Sequence, residues 1–206
     1  NYAVDEQGTR VSQFFTPLKS YDPRAREWYE NAENVNGPIW INLYNWTTVD
    51  RLGISLIQPY YDAEGQFQGV LGTDLSQDKI NAFLQDIKLS PSARVFLIEH
   101  TGALVASSTA HPSYIVENGR RARVDAADFT DPLIKETAQY IEQTYDNQLM
   151  RTQRVAIGER ASQHNFVQIT PLENRYGLDW LLVVVVPESD FISPISFCYL
   201  VCRSSE

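Results

Sequence analysis

The order of apolar patterns along the chain predicts an α+β fold on antiparallel sheets, and three observations carry it. Residues 53–60 and 66–73 pair as a hairpin across the polar turn Asp62-Ala-Glu-Gly65. The runs 94–99 and 104–107 form a second strand pair around Thr101-Gly102. Helical patterns are interspersed with these pairs, which favours two α+β units over a parallel βαβ sheet.

Taken in order, Tyr2-Ala-Val reads as a strand running into a tight turn, with a second strand at 11–15. Asp22-Pro23 marks the next turn, residues 24–32 a short helix, and the stretch from Asn34 to Pro38 its close. Residues 39–46, rich in aromatic and β-branched types, are a strand. After the first hairpin, Ile80, Phe83, Leu84 and Ile87 recur at i, i+3, i+4 and i+7, the spacing of an amphipathic helix over 75–88. Leu89-Ser-Pro-Ser-Ala93 then reads as a linker, because proline ends a helix and small polar residues stay solvated. Beyond the second strand pair a polar stretch runs to Thr130. There Asp131-Pro132 supplies an N-cap and a proline at the first helical position for a helix over 131–145. Strands follow at 153–157, 166–170 and 180–186. The run Leu181-Leu-Val-Val-Val-Val186, apolar on both faces, predicts a central buried strand. The expected division is residues 1–88, residues 89–192 and a tail, 193–206, leading toward a membrane or foreign to the domain.

Composition narrows the function. Of the 206 residues 43% are hydrophobic and 12% aromatic, ample for a packed core. Seventeen Lys+Arg against 26 Asp+Glu give a formal net charge of -9. Such a chain lacks the basic footprint of a nucleic-acid binder. The two cysteines, Cys198 and Cys202, stand in the tail, so the body carries no disulfide framework and no thiolate metal site. No apolar run reaches the ~18 residues of a membrane span.

The chemistry concentrates in Tyr21-Asp-Pro-Arg-Ala-Arg-Glu-Trp-Tyr29, together with Tyr44 and Asp74. Guanidinium, indole N–H and phenol groups donate to a carboxylate, while an aspartate accepts from an ammonium. That set suits capture of a small zwitterion. Each residue also has a plainer role: Arg24 and Arg26 solvated at a helix start, Trp28 and Tyr29 as core filler, Tyr44 in strand packing. On spacing alone Asp74 is an N-cap, with Gln77 at the capping-box position; Trp40 and Trp46 read as core or pocket lining. His100, His111 and His164 are scattered, each beside turn or loop residues, and read as surface or loop histidines. No nucleophile elbow, zinc-protease motif or phosphate loop is present, and neither cofactor nor metal is expected. A pair of carboxylates for glycoside chemistry stays open, since sequence gives no distances.

The series Tyr-Asp-Pro-Arg-x-Arg-x-Trp-Tyr-x-x-Ala at 21–32 resembles the signature of double-Cache extracellular sensor domains. So do Gly53-Ile-Ser…Pro59-x-Tyr-Asp, Gly69-Val-Leu-Gly-x-Asp74, Phe96-Leu-Ile-x-x-x-Gly102 and the ending from Trp180 through Val-Val-Pro-Glu. The resemblance implies two tandem PAS-like domains: a membrane-distal ligand-binding one at 1–88, N-terminally incomplete, and a proximal one at 89–192. It implies no catalysis within this chain. It also implies transmembrane helices, a cytoplasmic output domain, an extracytoplasmic location and, in some members, a homodimer. Within the amino-acid-binding subgroup, Arg26 and Trp28 match the residues that hold the ligand carboxylate, with Tyr21 and Tyr29 as nearby hydroxyl contacts. Tyr44 and Asp74 match the groups that face the ammonium. Glu27 stands where proline is frequent. The family's long N-terminal helix is expected to be absent, because Tyr21 lies too near the start of the chain. A carboxylic acid or an amine held by half of the site is the alternative ligand; a periplasmic hydrolase and a ligand-free spacer are the alternative classes.

Overall fold

The computed structural model describes residues 2–4, 7, 9–14, 22–46, 49–158, 164–173 and 176–191, with backbone alone at 2–4, 10–14 and 173. Tyr21 and the tail with both cysteines lie outside the described residues. β1 (Tyr2–Val4) and β2 (Arg10–Phe14) pair antiparallel. A 3-10 turn over Pro23–Ala25 leads into α1 (Glu27–Glu33), and then β3 (Ile39–Asn45), β4 (Leu52–Tyr61) and β5 (Phe67–Ser76) make an antiparallel sheet in that order. α2 (Gln77–Asp86) follows without a break. Next come β6 (Arg94–Glu99), β7 (Leu104–Ser107) and a small hairpin, β8 (Ile115–Glu117) with β9 (Arg120–Ala122). α3 (Pro132–Tyr145), β10 (Gln153–Ile157), β11 (Asn165–Glu173) and β12 (Asp179–Pro187) complete the described chain.

The second sheet runs β10-β11-β12-β6-β7, antiparallel at every described pairing, so β12 is central as its two-sided apolar run predicts. Alternation divides its faces. Leu181, Val183 and Val185 are fully buried in a core with Phe96, Ile98, Val167 and Ile169, and α3 contributes Ile134, Ala138 and Ile141 to that core. Leu182 and Val184 are only half-buried on the opposite face, where they join a cluster shared with the first sheet. α3 begins as its sequence dictates: Asp131 Oδ1 accepts from the N–H groups of Leu133 and Ile134 at 3.1 and 3.2 Å, with Pro132 in the first turn.

α2 joins the two sheets. Ile80 and Leu84 enter the shared cluster with Leu43, Leu52 and Ile54 on one side and Val95, Leu97, Val105 and Trp180 on the other. A polar row at i, i+4 and i+8 ties the same helix to β7 and the loop after it. Gln77 Nε2 donates to the carbonyls of Val105 and Ser113, Asn81 Oδ1 accepts from Ser107 N, and Gln85 Nε2 donates to Thr109 O. Gln77 is thus a fully buried first helical residue rather than a capping-box partner. The N-cap is Ser76, which makes no side-chain cap bond. Phe83 departs from its expected core place and is 67% exposed, while Ile80, Leu84 and the half-buried Ile87 pack into the shared cluster. The stretch read as merely polar holds the β8–β9 hairpin, whose turn Asn118-Gly119 has φ of 51° and 75°.

Candidate functional site

The register of the first sheet sets the site. Ser55 stands opposite Asp74 on one side and Ile41 on the other, and Tyr44 opposite Gly53. Paired residues share a face, so Ile41, Tyr44, Gly53, Ser55, Ile57 and Asp74 project toward α1. Ala32 and Trp28 of α1 pack there on Ile41 and Ile57, with Tyr44 and Val70 alongside.

On this face Ser55 Oγ donates to Asp74 Oδ1 at 2.5 Å, and Tyr44 Oη lies 2.8 Å from Ser55 Oγ. A hydroxyl has one proton. With that of Ser55 committed to the carboxylate, the Tyr44 hydroxyl is the donor to Ser55. Ser55 is 2% exposed, whereas Asp74 stands exposed at the edge strand. Asp74 is therefore a strand residue held by a buried hydroxyl, and the N-cap reading on spacing does not hold.

Asp22 sorts the two arginines. Its carboxylate accepts from Arg24 Nε and Nη2 at 3.0 and 2.8 Å and from Arg24 N at 2.9 Å. The Arg24 hydrogen bonds hold the Asp22 carboxyl below its ordinary value and raise the guanidinium's. Arg24 is thus spent locally on an exposed surface. Arg26, in extended backbone (φ -111°, ψ 140°) between the 3-10 turn and α1, is half-buried, and its guanidinium has no hydrogen bond or ion pair among the described residues. From α1, Trp28 meets Tyr29 edge-on at 5.6 Å, and Tyr29 meets Phe67 at 5.7 Å. The structure thus gathers Trp28, Tyr44 and Asp74 on one face, places Arg26 at the head of the helix covering it, and carries Tyr29 onward to the hairpin. Tyr21 lies outside the described residues.

Sequence reasoning missed Ser55. Its signal was a hydroxyl in the same alternating set as Gly53 and Ile57, a polar residue where the pattern asks for an apolar one. Trp46 also proves specific: an added methyl on Gly53 would fall 2.4 Å from its ring, and its buried Nε1 has no partner among the described residues. His100 lies in the turn after β6, a loop histidine as expected, but its side chain is only 11% exposed, with Nε2 2.8 Å from Asp179 Oδ1. His111 is exposed, and His164 Nδ1 lies 3.3 Å from Glu188.

Three cavities lined by described residues lie in the second half, and none of these three is lined by the six predicted residues. One of about 470 Å³ is an apolar groove over Phe166, Val184 and Val186. Another of about 410 Å³ is lined by Asp125, Asp128 and Glu142 without a cation, and a wide one of about 1120 Å³ lies beside Tyr140 and His164. A zwitterion needs opposite charges facing one space; in the first half the candidate cation is Arg26 at the head of α1 and the candidate anion Asp74 on the edge strand β5. Among the described residues no group of His, Cys, Asp and Glu is arranged to hold a metal ion, and no helix is long and apolar enough to cross a membrane.

The family model of the Cache domain, in its double form, matches residues 1–195. This chain belongs to the Cache-domain family. It is 28% identical over 133 residues to adenylate cyclase 1 of Rhizobium meliloti, an alignment that takes in 64% of this Cache domain and 20% of the cyclase. The chain thus spans about a fifth of that curated relative. Among solved structures it resembles the ligand-binding domain of the Pseudomonas aeruginosa amino-acid chemoreceptor PctC in complex with GABA, with TM-score 0.55 and 19% identity, covering 84% of this chain and 66% of that one. It also resembles that of the Pseudomonas fluorescens chemoreceptor CtaA in complex with L-alanine, with TM-score 0.53 and 21% identity, covering 92% and 72%. At such identities the likeness is one of fold. Both of those structures are ligand-binding domains of chemoreceptors.

Proposed function

We propose that this Cache domain is the extracytoplasmic sensor of a bacterial transmembrane receptor and binds a free amino acid between α1 and the β3–β5 sheet. The observation that carries this reading is the hydrogen-bonded series Tyr44–Ser55–Asp74 on the face covered by Trp28, with Arg26 at the head of that helix. Asp74 and Tyr44 take the ammonium. Arg26 takes the carboxylate through its planar fork, with Trp28, Tyr29 and Tyr21 as further donors. Charge-assisted bonds contribute roughly 1.5–3 kcal/mol each, and micromolar binding needs about 8 kcal/mol net. A few such bonds with side-chain burial suffice. The ligand-binding unit is residues 1–88 and the relaying unit residues 89–192; binding shifts the population between two arrangements of the first, which the second passes to an output domain.

The test is a thermal-shift screen against the amino acids, followed by calorimetry. A ligand at 100 times its dissociation constant stabilises by about 2.7 kcal/mol. Asp74→Asn is expected to lower amino-acid affinity about 10- to 100-fold, the loss of one charge-assisted contact of roughly 1.5–3 kcal/mol, while sparing simple carboxylates. Arg26→Gln is expected to do the reverse, sparing amines. A flat panel would refute the reading, and equal loss of both ligand classes in Asp74→Asn would refute the division of labour.

A further inference from the structure

Strand β9 belongs to neither large sheet, yet the segment from it to Asp125 is bonded to the second sheet and to the ends of the first. Its continuation is rooted in the second: Leu104 N donates to Val124 O at 2.8 Å, and Ala103 bridges Asp125. Its residue Arg121 grips the first at three points. The Arg121 N–H donates to Asp50 Oδ1 at 2.9 Å, its carbonyl accepts from Asn45 Nδ2 at 2.8 Å, and Nη1 lies 2.9 and 3.1 Å from the two oxygens of Asp78. Asn45 ends β3, Asp50 lies in the β3–β4 connection, and Asp78 opens α2 just beyond β5. One residue thus fastens all the strand ends beneath the row Tyr44–Gly53–Ser76, which adjoins the row of Ser55 and Asp74.

Two residues on, Arg123 Nη2 forms an ion pair with Glu99 Oε2 of β6. The Glu99 side chain is 5% exposed and its Oε1 has no hydrogen-bond partner among the described residues. Releasing Arg123 would strand a buried charge, so this end of the segment is stiff. At the other end Asp78 is 42% exposed, and an ion pair so open to water rearranges at little cost. Glu99 in turn stands opposite Trp180 of the central strand β12.

We propose that Arg121 is a positioning residue of the candidate site, and that the segment from Arg121 to Arg123 is the strut coupling that site to the five-stranded sheet. A ligand drawing α1 onto Tyr44 and Asp74 loads the ends of β3 and β5, and the strut carries that load to Glu99. The part of this inference that concerns ligand rests on the function proposed above; the mechanical part does not.

Amide hydrogen exchange on the 206-residue chain tests both. Arg123→Gln touches only the far half, yet faster exchange is expected around Asn45, Asp50 and Asp78 as well as in β6. Change confined to β6 and its neighbours overturns the strut. Should Arg123→Gln fail to fold, the double variant Glu99→Gln/Arg123→Gln removes the pair without a stranded charge, and the same comparison decides. Arg121→Gln is expected to weaken amino-acid binding about tenfold, within the usual range of coupling between sites, with Arg121→Lys restoring part of it; unchanged affinity overturns the positioning role. If the unaltered chain binds no amino acid, the proposed ligand falls, while the exchange result still decides the strut.

Discussion

Asp190 ties the end of the described chain to the segment between α2 and β6: its Oδ2 accepts from Ser90 Oγ at 2.5 Å and from Ser92 N at 2.8 Å. The Ser90 hydroxyl above all, with the Ser92 amide, holds the Asp190 carboxyl below its ordinary value. A depressed carboxyl contributes stability that is present above the unfolded value, near 3.9, and is lost as pH falls through the folded one. Asp190→Asn cannot titrate. Urea midpoints measured between pH 5 and pH 3 are therefore expected to fall more steeply for the unaltered chain than for Asp190→Asn. Parallel slopes would show that the contact contributes nothing to acid sensitivity.

At the scale of elements, α2 separates burial from periodicity. Phe83 and Leu84 are neighbours in a helix with one apolar stripe, yet Leu84 is 2% exposed and Phe83 67%. Leu84→Ala is expected to cost about 2–5 kcal/mol, and Phe83→Ala no more than about 0.5 kcal/mol, both by urea denaturation. The i, i+3, i+4, i+7 pattern named all four apolar residues but could not say which would find a partner, because the turn of the helix against two sheets is a tertiary fact. Strands 94–99 and 104–107 and the Asp131-Pro132 helix start were legible because local chemistry and tertiary packing agree there. The β8–β9 hairpin was not: its strands are three residues each, and the first is exposed throughout. The Asn118-Gly119 pair was its one available signal. In the site, residue types could be read from the sequence and Arg26 was chosen through the family resemblance, but that Asp22 occupies Arg24 and that Ser55 joins Tyr44 to Asp74 are facts of the fold.

For the whole molecule, the shared cluster decides how the chain folds. Leu43, Leu52 and Ile54 of the first sheet and Ile80 and Leu84 of α2 are buried against Val95, Leu97, Val105, Ala106 and Trp180 of the second. Cutting after residue 88 would return those five side chains to water. At about 1.5–3 kcal/mol for each large apolar side chain, that is roughly 8–15 kcal/mol, as much as the ~5–15 kcal/mol that stabilises a typical domain. The buried amide of Gln77 would also lose both of its carbonyl acceptors. The 206-residue chain is therefore expected to unfold in urea as one transition, with circular dichroism and tryptophan fluorescence coinciding, and a fragment of residues 1–88 to show no cooperative transition of its own. A cooperative melt of that fragment would mean that the first sheet carries an independent core, and coupling to the second half would then rest on polar contacts such as those of α2 and Arg121 and the hydrogen bond from Trp40 N to Tyr176 O.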